Sequence, residues 1–211
     1  MSAPYKICRL TTGDKPAFVS LMSEAFARDP LFLHLFGDSE LDEKAKNSMV
    51  AFVSFMFDKS FLPNEEAWGI FESDNLLGTY LIEKPSVSKL QNIKGTLFTV
   101  LYLIRLIPKI SEKALSLLNT YMRITRPASP SLTHHYLIMI GVKPEVQGKG
   151  VGKSLLLHLL NKINMSDTSQ GVALDTENIE NVNLYQRFGF ILKRETQINH
   201  VPVYCMFYQK K

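Results

Sequence analysis

The stretch that decides the fold is PEVQGKGVGKSLLLHLL, Pro144 to Leu160. Gly148, Gly150 and Gly152 alternate with other residues and run directly into a leucine-rich segment of helical pattern. A glycine-rich loop at the head of a helix is the outline of a phosphate site. Small residues let successive N–H groups approach an anion, and the helix turns its partial positive end to the same place. The question is which phosphate-bearing molecule such a loop receives.

Spacing removes two answers. The loop of nucleotide hydrolases, G-x-x-x-x-G-K-[ST], needs a glycine where Gln147 stands, although Gly152, Lys153 and Ser154 reproduce its end. The dinucleotide fingerprint G-x-G-x-x-G needs a glycine where Lys153 stands. The pattern R/Q-x-x-G-x-G/A, in contrast, is satisfied at every position by Gln147-Gly148-Lys149-Gly150-Val151-Gly152. On either side of it HYLIMIGVKPE reads as a strand, and LDTENIENVNLYQRFGF as a strand end, a helix and a turn.

In these residues, from about His134 to Phe190, the chain resembles the GNAT superfamily of acyl-CoA-dependent N-acetyltransferases. The resemblance implies acetyl-CoA as co-substrate and no metal. The loop of Gln147, Gly148, Lys149, Gly150, Val151, Gly152 and Lys153 would hold its pyrophosphate, and the backbone of Ile140 and Val142 would pair with its pantetheine arm. Asn178 and Asn181 would contact the cofactor, and Tyr185 would protonate the departing thiolate. Read from the residues alone, Asn178 is equally a helix cap, Tyr185 a core aromatic beside Leu184 and Phe188, and Lys149 and Lys153 solvated lysines. Gly141 would tolerate a bulge or a close approach.

Working outward, YKICRL alternates as a strand, and Asp14 and Pro16 open a helix. Residues 41–61 repeat apolar positions at helical spacing, and AWGIFES and LLGTYLIEK form a hairpin turning at Asp74-Asn75. A helical insert of about residues 85–130 follows, apolar almost all round over 96–107 and striped from Ile110 to Tyr121. After the motif-bearing segment come the strands FILKRE and VPVYCMFYQ. This order predicts an α/β fold with a GNAT-like mixed, largely antiparallel central sheet, one strand-helix-strand crossover, and helices on both faces. One domain over residues 1–211 is expected from the length.

An apolar fraction of 45% and a charged fraction of 21% are those of an ordinary globular protein. A net charge of +4 is too small to argue for nucleic acid, and the longest apolar run carries Arg105 and is too short to span a membrane. No signal or transit pattern opens the chain, so a cytoplasmic protein is expected. Cys8 and Cys205 sit in no metal or redox spacing.

The expected activity is transfer of an acetyl group from acetyl-CoA to a small-molecule primary amine by direct attack. The alternatives are a protein or peptide N-terminal acetyltransferase and a non-catalytic CoA-binding sensor or subunit. An ammonium must lose a proton before it attacks, and Asp29, Glu83, His134 and His135 are open candidates for the base. The insert holds seven basic residues against Glu112 alone. It is expected to wall the acceptor pocket, favouring a compact amine with an acidic group near Arg123 or Arg126. A homodimer interface is its other reading.

Overall fold

The computed structural model describes residues 5–85 and 103–211. In chain order the elements are β1 (Tyr5–Arg9), α1 (Lys15–Ala25), α2 (Pro30–Phe36), α3 (Glu43–Lys59), β2 (Glu65–Glu72) and β3 (Asn75–Glu83). A helical segment at 103–106 precedes α4 (Glu112–Thr125). Then come β4 (His135–Val142), α5 (Val151–Asn164), β5 (Gly171–Thr176), α6 (Ile179–Arg187), β6 (Ile191–Ile198) and β7 (Val201–Gln209). The strands form one sheet in the order β1-β2-β3-β4-β5-β7-β6. Every adjacent pair is antiparallel except β4 and β5, which α5 connects as a parallel crossover.

This is the expected mixed sheet, with two differences of detail. The hairpin turns at Ser73-Asp74, one residue early, because Ser73 takes the left-handed conformation (φ 54°) and Asn75 already pairs with Glu72. Helix α2 is additional. Asp29 caps it by accepting from the N–H groups of Leu31 and Phe32, Pro30 occupies its first turn, and Gly37 at φ 92° ends it. Seven residues are too few for a helical period to show in the sequence, although both punctuation marks are there. Most of the insert's first apolar stretch lies outside the described residues.

Two apolar layers sandwich the sheet. On one face α5 presents Leu155, Leu159 and Ile163, spaced by one helical turn, to Ile70, Tyr80, Ile82, Leu137 and Val172. On the other, Phe18 and Met22 of α1 and Val53 and Phe57 of α3 cover Ala67, Leu81 and Met139. Burying each such side chain contributes about 1.5–3 kcal/mol. Gly141 serves this second layer. A Cβ there would lie 2.8 Å from the sulfur of Met22 and 3.1 Å from Ala25, so the close approach that its glycine permits is that of α1 to β4.

The feature that positions the site is a fork in the sheet. Between Leu81 and Ile82 the β3–β4 register slips, leaving Ile138 as an extra residue on β4. Ile138 and Met139 consequently both face α1 and α3, whereas Leu137 and Ile140 pack toward α5. Such a bulge bends and twists its strand. Beyond it β4 leaves β5: the two pair only at His135↔Val172 and Tyr136↔Ala173, although β5 runs on to Thr176 and β4 to Val142.

Candidate active site

The glycine loop lies at the mouth of this fork. Gly148 (φ 76°) and Gly150 (φ 84°) occupy the left-handed region that side-chain-bearing residues avoid, and a Cβ on either would meet nothing within 4 Å. Their glycines therefore answer to backbone shape and to an open space in front of the loop. Gly150 caps α5 without a side chain, and the helical ladder starts with the Ser154 N–H donating to the Gly150 carbonyl at 2.9 Å. The N–H groups of Val151, Gly152 and Lys153 precede that bond and have no carbonyl one turn back. At Gly152 a Cβ would sit 3.7 Å from Val142, an ordinary contact, which is why the motif admits alanine there. Gln147, Lys149 and Lys153 are exposed around the loop, while the Val151 side chain is buried beneath it.

The inner edge of β4 is the second element. The Lys143 N–H donates to Leu77 O on β3 at 2.9 Å. By strand alternation Gly141 also bonds toward β3, and the N–H and C=O of Ile140 and Val142 point into the fork, where β5 has departed.

The fork leads into a cleft of about 460 Å³ roofed by α2, α3, α4 and the segment at 103–106. Tyr185 of α6 borders it, with only 7% of the residue exposed and its ring 5.5 Å from that of Phe190. Among the described residues its hydroxyl has no hydrogen-bond partner. Burial, then the charges of Glu177 and Asp175, hold the phenol's pKa well above its ordinary value. The two asparagines part company. Asn178 caps α6 by accepting from the Glu180 N–H at 2.8 Å, whereas Asn181 borders the cleft and donates to Thr176 Oγ1 at 3.2 Å.

Three carboxylates meet on the cleft floor: Asp175 on β5, Glu177 just after it, and Asp29 at the cap of α2. Tyr121 of α4 lies in hydrogen-bond contact with both Asp175 and Glu177, its one proton serving one of them at a time, and Tyr136 of β4 donates to Asp175. Burial raises all three carboxyl groups, against the lowering effect of these hydrogen bonds and of the two α2 N–H groups on Asp29. Glu177 is pushed up to about 8, chiefly by burial and next by the charge of Asp29. Its folded state therefore holds a proton that the unfolded chain, near 4.5, has released. The stabilisation is complete below about pH 4.5 and is lost as pH rises toward 8. The melting temperature is accordingly expected to fall between pH 5 and 8, and to fall less in Glu177→Gln; an equally steep decline in that variant would place the titrating group elsewhere.

The other candidate bases lie differently. Glu83 is bound by Arg126 at 2.6 Å, and that guanidinium covers the Tyr136 ring at 3.9 Å. His135 pairs with Ser169 at 2.8 Å and is lowered to about 4, first by burial, while His134 meets the Leu132 carbonyl. Neither histidine borders the cleft. A larger cavity, about 680 Å³, adjoins His135, Trp68, His158 and Lys162 on the α5 side, and neither Tyr185 nor the glycine loop reaches it. Burial pushes the Cys205 thiol up to about 11, and that residue does not border the cleft either. Arg126, expected to stand near an acidic group of the acceptor, is engaged by Glu83. Arg123 is exposed and outside the cleft lining.

Glu177 escapes a reading of the sequence because it sits among polar residues in TENIEN, where an acid suggests only a helix start. What marks it is its place at the carboxyl end of a strand, the usual side for ligands in such sheets.

A sheet forked beside a glycine loop, with the fork opening on a buried tyrosine and carboxylates, is an arrangement suited to acyl transfer from a phosphate-bearing cofactor. The match to known proteins agrees: residues 120–192 fit the acetyltransferase (GNAT) domain. Over residues 120–192 the chain matches the GNAT acetyltransferase domain, and its whole fold is that of the GNAT structures it resembles. It is similar in structure to a histone acetyltransferase HPA2 and related acetyltransferase from Corynebacterium glutamicum, with TM-score 0.71, 20% identity, and 98% of this chain and 97% of that one covered. The PaiA N-acetyltransferase from Thermoplasma acidophilum, solved in complex with coenzyme A, superposes with TM-score 0.58 at 14% identity over 99% of both chains. The ribosomal-protein-S18-alanine N-acetyltransferase from Escherichia coli gives TM-score 0.57 at 14% identity over 97% and 93%. No curated protein sequence matches the chain significantly. Among the described residues no helix is long and apolar enough to cross a membrane, and no group of His, Cys, Asp and Glu is arranged to hold a metal.

Proposed function

We propose that the protein transfers an acetyl group from acetyl-CoA to the primary amine of a small molecule, by direct attack and without an acyl-enzyme. The observation that carries this reading is the fork between β4 and β5, open at one end on the glycine loop and at the other on Tyr185 and Glu177. The free N–H groups of Val151, Gly152 and Lys153 suit the pyrophosphate, and the inward N–H and C=O of Ile140 and Val142 suit the pantetheine amides. Gln147, Lys149 and Lys153 add polar contacts at the mouth, and Asn181 is better placed than the capping Asn178 to meet the cofactor arm.

Glu177 is the base in this scheme. Its carboxylate takes a proton from the acceptor ammonium, the freed lone pair forms the C–N bond, and the C–S bond breaks. Tyr185 then gives its proton to the leaving sulfur, and its phenolate is reloaded by the second proton that the acylated nitrogen must lose. A carboxyl group tuned up toward neutrality is a better match to an amine than an ordinary one. Cys205, protonated and outside the cleft, offers no acyl carrier.

Acetyl-CoA alone should stabilise the protein, whereas ATP with magnesium should not, because Gln147 replaces the first glycine that a nucleotide loop needs. At 100 times its dissociation constant a ligand adds about 2.7 kcal/mol, readily seen in a melting curve. A larger shift with magnesium and ATP would reject the assignment. Release of free thiol only when an amine is added separates an enzyme from a sensor.

A further inference from the structure

We infer that the acceptor is an alkyl- or aralkylamine: one primary amine on an apolar body, carrying no carboxylate or phosphate of its own. This rests on the acetyl-transfer reading above and narrows its substrate.

The cleft divides by chemistry. Its floor holds Asp29, Asp175 and Glu177, with the unpartnered hydroxyl of Tyr185 beside them. Its walls, supplied by α2, α3, α4 and the segment at 103–106, include Phe32, Phe52, Phe55, Leu106, Leu118 and Met122. The aromatic wall is packed into a single surface, with Phe52 centred 5.7 Å from Phe32 and 6.4 Å from Phe55. Such a surface can cover an apolar body, and it offers hydroxyl or ammonium groups little to replace their water.

Among the described residues, the two cations that border the cleft are already engaged. Lys59 pairs with Glu65, and Arg126 binds Glu83 while lying over Tyr136. An anionic group on the acceptor would therefore have to displace one of these carboxylates while approaching three more. An ammonium, in contrast, meets opposite charge where its proton must leave. Polyamines and aminoglycosides fail for the complementary reason, since their further ammonium or hydroxyl groups would lie against phenylalanine and leucine.

The test uses the full-length protein, acetyl-CoA and thiol release with 2-phenylethylamine, hexylamine, phenylalanine, spermidine, kanamycin and a short peptide with a free N-terminus. The first two are expected to exceed the others in kcat/KM by about 10²-fold, a discrimination that unpaired polar groups readily produce. The comparison of 2-phenylethylamine with phenylalanine is the sharpest, for the two differ by one carboxylate. Phe52→Ala should raise KM for 2-phenylethylamine about tenfold, the effect of removing a few methylene-sized contacts, and leave KM for acetyl-CoA alone. Met122→Ala, at a half-exposed position whose loss spares the fold, should do the same more weakly. Preference for phenylalanine, spermidine, kanamycin or the peptide would overturn this inference and leave acetyl transfer standing. Acetyl-CoA binding with no turnover across the panel would also overturn it, in favour of a sensor. Absence of acetyl-CoA binding would remove both readings.

Discussion

Glu177→Gln is expected to lower kcat/KM for the amine by about 10²–10⁴-fold, the usual contribution of a positioned base, while acetyl-CoA stabilises the variant as it does the parent. Glutamine matches the shape of the side chain and can still accept from the Tyr121 hydroxyl, so the link between α4 and the end of β5 survives. It cannot take a proton. The pH profile adds a signature that a packing defect would not produce. In the parent, kcat/KM should rise with pH through the pKa of Glu177, about 8, on top of the amine's own deprotonation. That limb should vanish in Glu177→Gln. The groups facing Glu177 are Asp29 from the cap of α2, Asp175 from β5 and Tyr121 from α4, with Arg126 acting on Asp175. Of these, Asp29 raises it most, so Asp29→Asn should move the limb to lower pH. Asparagine is also a preferred cap, which keeps α2 in place. An unchanged kcat/KM in Glu177→Gln would pass the role of base to another group, with Asp29 and Asp175 the other carboxylates in the cleft.

The glycine loop was legible in the sequence because it is local. Gln147 to Lys153, the strand before them and the helix after them are contiguous, and three of the glycines answer to the backbone: left-handed φ at Gly148 and Gly150, close packing at Gly141. The carboxylate floor of the cleft was not legible. It combines a helix cap at 29, two strand-end acids at 175 and 177, and tyrosines at 121 and 136, brought together only by the crossover and by α4 folding back over β5. No spacing rule links residues so far apart. Asp29 was readable as the cap it is, and nothing in AFARDP indicates that it also charges a cleft. The insert shows the same limit. Its apolar stripe is visible as Ala114, Leu117 and Tyr121, but the partners that bury it, Leu31 and Leu35 of α2 and Val203 of β7, come from both ends of the chain. The charge count over the insert omitted Glu83, which engages Arg126 and lies just outside the segment counted.

Tyr185→Phe is expected to lower kcat by about 10²–10⁴-fold with KM for acetyl-CoA close to that of the parent. The substitution removes one oxygen and retains the ring that packs on Phe190. Because that hydroxyl has no partner among the described residues, its loss strands no buried donor or acceptor, and the melting temperature should hold. Those facts make the variant a clean test between two roles. A tyrosine that only fills the core would lose nothing measurable, since the core contact belongs to the ring. A tyrosine that protonates the leaving sulfur would lose rate in the chemical step alone. Burial and the neighbouring carboxylates keep the phenol protonated at every working pH, so its proton is always available. The measurement is single-turnover acetyl transfer with the enzyme in excess, which removes product release from the comparison. A rate equal to the parent's would return Tyr185 to the core and leave the sulfur to be protonated from solvent; a loss confined to KM would make its hydroxyl a binding contact instead.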